Sequence, residues 1–209
     1  MERPIFVTGI GTGVGKTLVS AVLASAWGAA YWKPIQAGYE DGTDRQWVAA
    51  HTDETVSTIF PEQYVLRMPA SPHIAAKAES LEITVAALVK AKPETAQPLL
   101  IEGAGGLLVP LNDRETMADL AATMKARIVL VSRNYLGSIN HSLLTAAYCS
   151  QNGLDVLGWV FNDRFGNYEE EIAARTGYPI IASILPATTV DVAFVREQAK
   201  LVPPLKTFL

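Results

Sequence analysis

Apolar residues along this chain fall into short, nearly continuous runs, each ended by glycine, asparagine, proline or a charge. Ile5-Phe6-Val7, Ala29-Ala30-Tyr31-Trp32, Leu99-Leu100-Ile101, Ile128-Val129-Leu130-Val131, Val156 to Phe161 and Ile180 to Leu185 are such runs. Runs of this length without strict alternation predict strands buried on both faces, as in parallel sheets. Between them lie helical patterns. Leu18 to Ala24 opens one, and the clearest others are Asn140 to Gln151 and Glu169 to Thr176. Strands alternating with helices at this spacing predict right-handed βαβ crossovers. The expected fold class is α/β: one domain over 1–209, its mostly parallel sheet flanked by helices on both faces. Gly38 to Gln97 mixes loops with short helices and carries the weakest pattern. The tail, Val202-Pro203-Pro204-Leu205, reads as irregular.

Composition narrows the class. The chain is 49% hydrophobic and 18% charged, a balance that suits a sheet covered on both sides. Net charge is −4 and the basic residues are scattered, which argues against nucleic acid as the main partner. The single cysteine, Cys149, cannot close an internal disulfide, which points to a reducing compartment. It lies in an apolar helical stretch and reads as a core residue. The start has no targeting pattern, and no apolar run nears the roughly 20 residues that span a membrane. A soluble cytosolic protein is expected.

The first strand and the first helix enclose the most specific chemistry. Pro4 to Thr17 reads PIFVTGIGTGVGKT. Strand, glycine-rich turn, Lys-Thr and helix make a phosphate-binding loop. Glycines let consecutive N–H groups face inward as a nest for anionic oxygens. The helix start adds unpaired N–H groups and its positive dipole end. Lys16 brings a mobile charge for the β- and γ-phosphates, and the Thr17 hydroxyl is a hard ligand for Mg²⁺. The usual spacing would put glycine at position 10; here Ile10 stands there and Gly9 precedes it, giving G-x5-G-K-T.

Other polar residues follow apolar runs, where open α/β sheets gather their ligands. Glu102 closes Leu99-Leu100-Ile101 and opens Gly103-Ala104-Gly105-Gly106; a carboxylate at that strand tip can hold Mg²⁺ directly or through water. Lys33 ends the second strand before Pro34 and would add positive charge beside a phosphoryl group, or simply hold its head in water. Asp44, in Gly42-Thr43-Asp44-Arg45, is a helix cap by default. His73 in Ser71-Pro72-His73 and His141 beside Asn140 are either ligand-facing or structural. Gly137-Ser138-Ile139-Asn140 precedes a long helix, where a carboxylate is favoured. Asn162 follows the fifth strand, and its amide suits an adenine edge or a turn.

Together these segments resemble the dethiobiotin synthetase family of ATP-dependent ligases, over nearly the whole chain. The likeness rests on Thr8 to Thr17, Trp32-Lys33-Pro34, Asp44, Ser71-Pro72-His73, Glu102 to Gly106, Gly137-Ser138-Ile139-Asn140-His141 with Leu143 to Thr145, and Gly158 to Asp163. The resemblance implies a P-loop fold and a homodimer with the substrate site at its interface. It implies closure of a cyclic urea on 7,8-diaminononanoate with CO2, ATP and Mg²⁺. By the same resemblance, Gly13, Val14, Gly15, Lys16, Thr17 and Leu18 hold phosphates, and Thr17, Asp44 and Glu102 hold Mg²⁺. Gly103, Ala104 and Gly105 border the nucleotide, as do Asn162, Asp163, Pro186, Ala187 and Thr188. Lys33 and Lys16 act catalytically. Thr12, Lys33, Ala37, Gly137, Ser138, Ile139 and Asn140 meet the substrate, the last four through its carboxylate.

The chain departs from the family at three positions. Gly11 and Gly13 replace residues that are often acidic there, and Ala37 replaces a common hydroxyl. Gln36 or backbone groups are expected to compensate for Ala37. Two rivals stand beside this reading. Ligases acting on cobyrinic acid usually carry a further glutamine-hydrolysing domain with a nucleophilic Cys, which this length does not accommodate. Partitioning-type ATPases typically place a lysine early in the loop, where Gly9-Ile10-Gly11-Thr12-Gly13-Val14 has none.

Overall fold

The apolar runs pair side by side, each as a parallel strand. The computed structural model describes residues 3–53, 55–163 and 168–209. The strands are β1 (Ile5–Gly9), β2 (Ala30–Trp32), β3 (Ile35–Ala37), β4 (Ile59–Phe60), β5 (Tyr64–Leu66), β6 (Leu99–Gly106), β7 (Arg127–Arg133), β8 (Asp155–Asn162) and β9 (Ile180–Ile184). The helices are α1 (Lys16–Trp27), α2 (Asp44–His51), α3 (Pro72–Ala78), α4 (Val85–Ala91), α5 (Met117–Thr123), α6 (Ser138–Gln151), α7 (Tyr168–Thr176) and α8 (Val192–Leu201).

The main sheet has seven strands in the order β4-β2-β6-β1-β7-β8-β9, all parallel. The chain leaves β1 for β2, skipping the place later filled by β6, and afterwards builds outward on the other side through β7. β1 is therefore the point where strand order reverses, and ligands collect outside the carboxyl ends of strands there. The central strands are buried on both faces, as their unalternating sequences require. Phe6, Trp32, Ile101, Leu130, Trp159 and Phe161 pack on one side with residues of α4 to α7. Val7, Tyr31, Leu100, Val129 and Val160 pack on the other with residues of α1, α2 and α8. Each such fully buried large side chain contributes roughly 1.5–3 kcal/mol. Cys149 belongs to the first cluster, fully buried, and its thiol is pushed up to about 12 by that burial.

Two regions differ from expectation, and β6 is one: it continues through Gly103 to Gly106, where a turn is expected after Glu102. The weakly patterned middle holds β4, at the sheet edge, and β5, which pairs with β3 in a separate two-stranded parallel sheet. Strands of two or three residues are too short to show a period. The tail is irregular from Val202 to Pro204, as expected, and one turn of 3₁₀ helix begins at Leu205 and runs to Phe208. It is tied down by the Trp27 indole N–H, which donates to the Pro203 carbonyl at 3.0 Å, and by the Phe208 ring against Trp27.

Candidate active site

The phosphate loop runs from the end of β1 to the start of α1. Gly15 caps the helix with left-handed dihedrals, φ 90° and ψ 27°. A Cβ there would stand 1.9 Å from the Asn162 side-chain nitrogen, so only glycine fits. Asn162 itself donates to the Val14 carbonyl at 3.0 Å. No side chain caps α1, so its first N–H groups stay available to an anion. Lys16 is folded back over the loop, and its ammonium donates to the Gly11 carbonyl at 3.1 Å.

Opposite the loop stands a cluster built from four elements. β2 and β6 pair with Tyr31 beside Leu100. Because side chains alternate with period two, Leu100 and Glu102 share one face with Tyr31, which Lys33 continues beyond β2. That is the face on which α1 packs and which Thr17 reaches. Glu102 is 1% exposed. Its Oε1 accepts from Thr17 Oγ1 at 3.1 Å and Lys33 Nζ at 3.0 Å, while Oε2 accepts from the Tyr31 hydroxyl at 2.9 Å. Lys33 also forms an ion pair with Asp44.

Asp44 does not cap its helix. Thr43 takes that role, in a reciprocal capping box with Gln46. This leaves the Asp44 carboxylate free to face Lys33 from the first turn of α2. Two further contacts hold that turn. The Asp44 N–H donates to Gln36 Oε1 at 3.1 Å, and Arg45 pairs with the buried Glu62 at 2.7 Å. Gln36 Nε2 donates to the Gly38 carbonyl at 2.7 Å. Both ends of the Gln36 amide thus hold backbone, each with one further hydrogen bond to offer.

The charges in this cluster are unequal. Burial pushes Lys16 down to about 8, only partly offset by Glu102, and the neighbouring Lys33 adds to the fall. Burial opposes charge on Lys33 too, but Glu102 and Asp44 outweigh it and hold Lys33 above the ordinary lysine value. The Tyr31 hydroxyl is pushed well up by burial and by Glu102, and remains a donor.

A cavity of about 610 Å³ opens over this cluster. Thr12, Gly13, Gly15, Lys16, Thr17, Lys33, Ala37, Asp44, Glu102, Ala104 and Gly105 line it, together with Gln36, the 69–72 loop and Val109. Other expected residues lie outside it. Val14 and Gly103 are buried, and a Cβ on Gly103 would stand 2.8 Å from the Phe6 ring. Asn162 and Asp163 end β8 beside the exposed Pro186, Ala187 and Thr188, joined by Asp163 N–H donating to the Ile184 carbonyl at 3.0 Å. Gly137, Ser138, Ile139 and Asn140 start α6 away from this cavity. Ser138 is buried, and its hydroxyl donates to the Tyr135 carbonyl at 2.6 Å. Any carboxylate there would meet backbone N–H groups rather than that hydroxyl. His141 Nδ1 lies 2.8 Å from the Tyr135 hydroxyl. His73 enters α3 behind the lining Ser71 and Pro72, its Nδ1 buried without a partner. A second, mostly apolar cavity of about 370 Å³ lies on the other side of Gly9 to Thr12, bordered by the exposed Leu108 and Leu144.

Among the described residues no group of three or more His, Cys, Asp or Glu could hold a metal ion. Two carboxylates and a hydroxyl do converge, and that donor set suits Mg²⁺, which takes one or two carboxylates and completes its shell with water and phosphate oxygens. Reading the sequence missed Tyr31 and the Arg45–Glu62 pair, and named Gln36 for substrate rather than for the backbone contacts it makes. Only Tyr31 carried a signal: a buried phenol needs a partner for its hydroxyl.

A family described as an AAA domain matches residues 3–192. The ATP-dependent dethiobiotin synthetase BioD of Cytophaga hutchinsonii is 46% identical over 186 residues, 88% of this chain and 89% of that one. The same enzyme from Christiangramia forsetii is 40% identical over 201 residues, 96% of each. Among solved structures, a ParA family ATPase from Chlorobium tepidum superposes with a TM-score of 0.58 at 12% identity, covering 95% of this chain and 98% of that one. The MinD cell division protein of Aquifex aeolicus gives 0.54 at 14%, covering 94% and 87%. At such identities the structural likeness concerns the fold alone.

Proposed function

The chain belongs to the dethiobiotin synthetase family, and on that premise we propose that its cavity closes the urea ring of dethiobiotin on 7,8-diaminononanoate. The reaction balances as follows. One substrate amine adds to CO2 and loses a proton, giving a carbamate. A carbamate oxygen attacks the γ-phosphorus of ATP and ADP leaves, giving a carbamic–phosphoric anhydride. The second amine attacks the carbamoyl carbon and expels phosphate, closing the ring. The anhydride is intrinsically reactive, so the protein's part is positioning and charge stabilisation.

The observation that carries this reading is Lys33, a buried ammonium kept charged by two carboxylates and facing the cavity across from the phosphate loop. A carbamate and a transferring phosphoryl group both call for a fixed cation there, and here it comes from the end of β2, whereas partitioning-type ATPases typically place theirs early in the loop, where this chain has none. Lys16 and the first N–H groups of α1 meet the phosphates. Thr17, Asp44 and Glu102 would hold Mg²⁺, which when bound neutralises phosphate charge. Asn162 to Asp163 and Pro186 to Thr188 border the adenine.

The start of α6 lies outside its own chain's cavity, and the fully exposed Leu136 with Leu108 and Leu144 leaves apolar surface nearby. Both fit a homodimer in which one copy's α6 receives the substrate carboxylate of the other. No helix among the described residues is long and apolar enough to cross a membrane. Together with the free, buried Cys149, this suits work in the cytoplasm.

The test is phosphate release from Mg·ATP with bicarbonate, with and without the diamine, while dethiobiotin is followed by mass spectrometry. Stoichiometric product and phosphate are expected, abolished in Lys16→Ala and strongly reduced in Lys33→Ala. Hydrolysis indifferent to the diamine, without product, would sink the ligase reading and favour a switch-type ATPase.

A further inference from the structure

Tyr31 does not line the cavity, yet it donates a hydrogen bond into the centre of the site. It is wholly buried in β2, and its hydroxyl donates to Glu102 Oε2 at 2.9 Å. The strand register explains the reach. Tyr31 pairs with Leu100, and Glu102 stands two residues further on the same face. The end torsion of a glutamate is broad, so an unpinned carboxylate swings between orientations. Here both oxygens carry donors, Oε2 from Tyr31 and Oε1 from Thr17 and Lys33.

We propose that Tyr31 is a positioning residue: it anchors Oε2 inside the sheet so that Glu102 offers the cavity one oxygen, Oε1, at a fixed angle beside Thr17 and Lys33. This rests on the reading that Glu102 helps to hold Mg²⁺. Glu102 would then offer Mg²⁺, or a water on it, that one oxygen, with the aim of the carboxylate set by a residue outside the cavity. Hydrogen-bond partners of ligating carboxylates tune metal affinity by about tenfold or more.

The test is Tyr31→Phe, which keeps the ring and removes one hydroxyl. Melting in saturating ADP verifies that it is folded. Mn²⁺ binding in the presence of ADP is then titrated by electron paramagnetic resonance. Mn²⁺ is expected to bind about tenfold more weakly, ADP affinity without metal to stay unchanged, and lost turnover to return at raised Mg²⁺. A merely structural tyrosine would not make turnover depend on metal concentration. Parental Mn²⁺ affinity and Mg²⁺ dependence in the folded variant would overturn the proposal. Glu102→Gln separates the two readings. If it weakens Mn²⁺ binding and Tyr31→Phe does not, only the role of Tyr31 falls; if neither does, the metal reading of Glu102 falls with it.

Discussion

The two walls of the cavity are built in opposite ways. The phosphate loop is one contiguous stretch, and what it offers a ligand is mostly backbone, N–H groups arranged by φ and ψ. The facing wall is made of side chains that meet across long sequence separations, 85 residues between Thr17 and Glu102 and 69 between Lys33 and Glu102. The loop is therefore sensitive to what a Cβ does to the chain. The facing wall is sensitive to charge, because removing one partner of a buried ion pair leaves the other as an uncompensated charge. Even the two lysines divide this way. Lys16 rests on a loop carbonyl and is held low by burial, whereas Lys33 sits between two carboxylates and is held high.

The largest expected break in this contrast comes from Gly15→Ala. The new methyl would meet two penalties, a left-handed backbone at φ 90° and a clash with Asn162. The backbone alone costs an alanine about 1–2 kcal/mol. Pushing Asn162 aside also releases the Val14 carbonyl that it holds. Melting is expected to fall, and ADP affinity measured by calorimetry to drop by about tenfold or more for each ~1.4 kcal/mol the altered loop loses. Parental affinity in a folded Gly15→Ala protein would show that the loop relaxes around side chains and is not a fixed backbone nest.

A smaller effect separates the lysines by pH. Lys16 drops from its ordinary 10.5 to about 8 in the folded protein. Between those values the unfolded chain keeps a proton that the folded one has shed. Stability from this group therefore rises with pH from about 8 to 10.5, and the buried charge is a cost below that. Bound phosphates favour the ammonium, so nucleotide binding takes up a proton above about pH 8, with affinity falling up to tenfold per pH unit there. Calorimetry at pH ~8.5 in two buffers of different ionisation heat reads the proton directly. Lys33 has the opposite sign: its raised value adds stability that is complete below 10.5 and is lost only as pH climbs past its folded value. No net proton uptake would mean that Lys16 is already charged in the free protein.

The same division explains what could be read before the fold was known. The sheet and the phosphate loop rest on local patterns, an apolar run and a glycine spacing, and both were legible. Lys33 was legible as a strand end, because a parallel sheet gathers its strand tips on one edge; Glu102 was read as one too, but β6 runs on to Gly106 and Glu102 stands inside it. What they touch was not legible, since register between β2 and β6 decides that Tyr31 stands below Glu102. Asp44 shows the limit most clearly. Its neighbours favour a cap, and only Thr43 winning that place turns the carboxylate toward Lys33. β3 and β5, of three residues each, carry no period at all, yet β3 holds the cavity-lining Gln36 and Ala37 and β5 pairs alongside it.

The smallest expected effect isolates the backbone from the space around it. Gly11 and Gly13 both face open volume, with nothing within 4 Å of an added Cβ, and only Gly13 has a left-handed φ, +73°. Gly13→Ala then costs about 1–2 kcal/mol from conformation alone. Gly11→Ala meets no such strain and reduces the freedom of the unfolded chain, a gain of about 0.4–1 kcal/mol at most. Urea unfolding of the two variants should give shifts of opposite sign. Equal shifts would mean that the two glycines are interchangeable, and that the loop tip, unlike its base at Gly15, is not held to one conformation. Opposite shifts would place the rigid part of the nest from Gly13 onward, leaving Gly11 as the site where a side chain can be added without reshaping the loop.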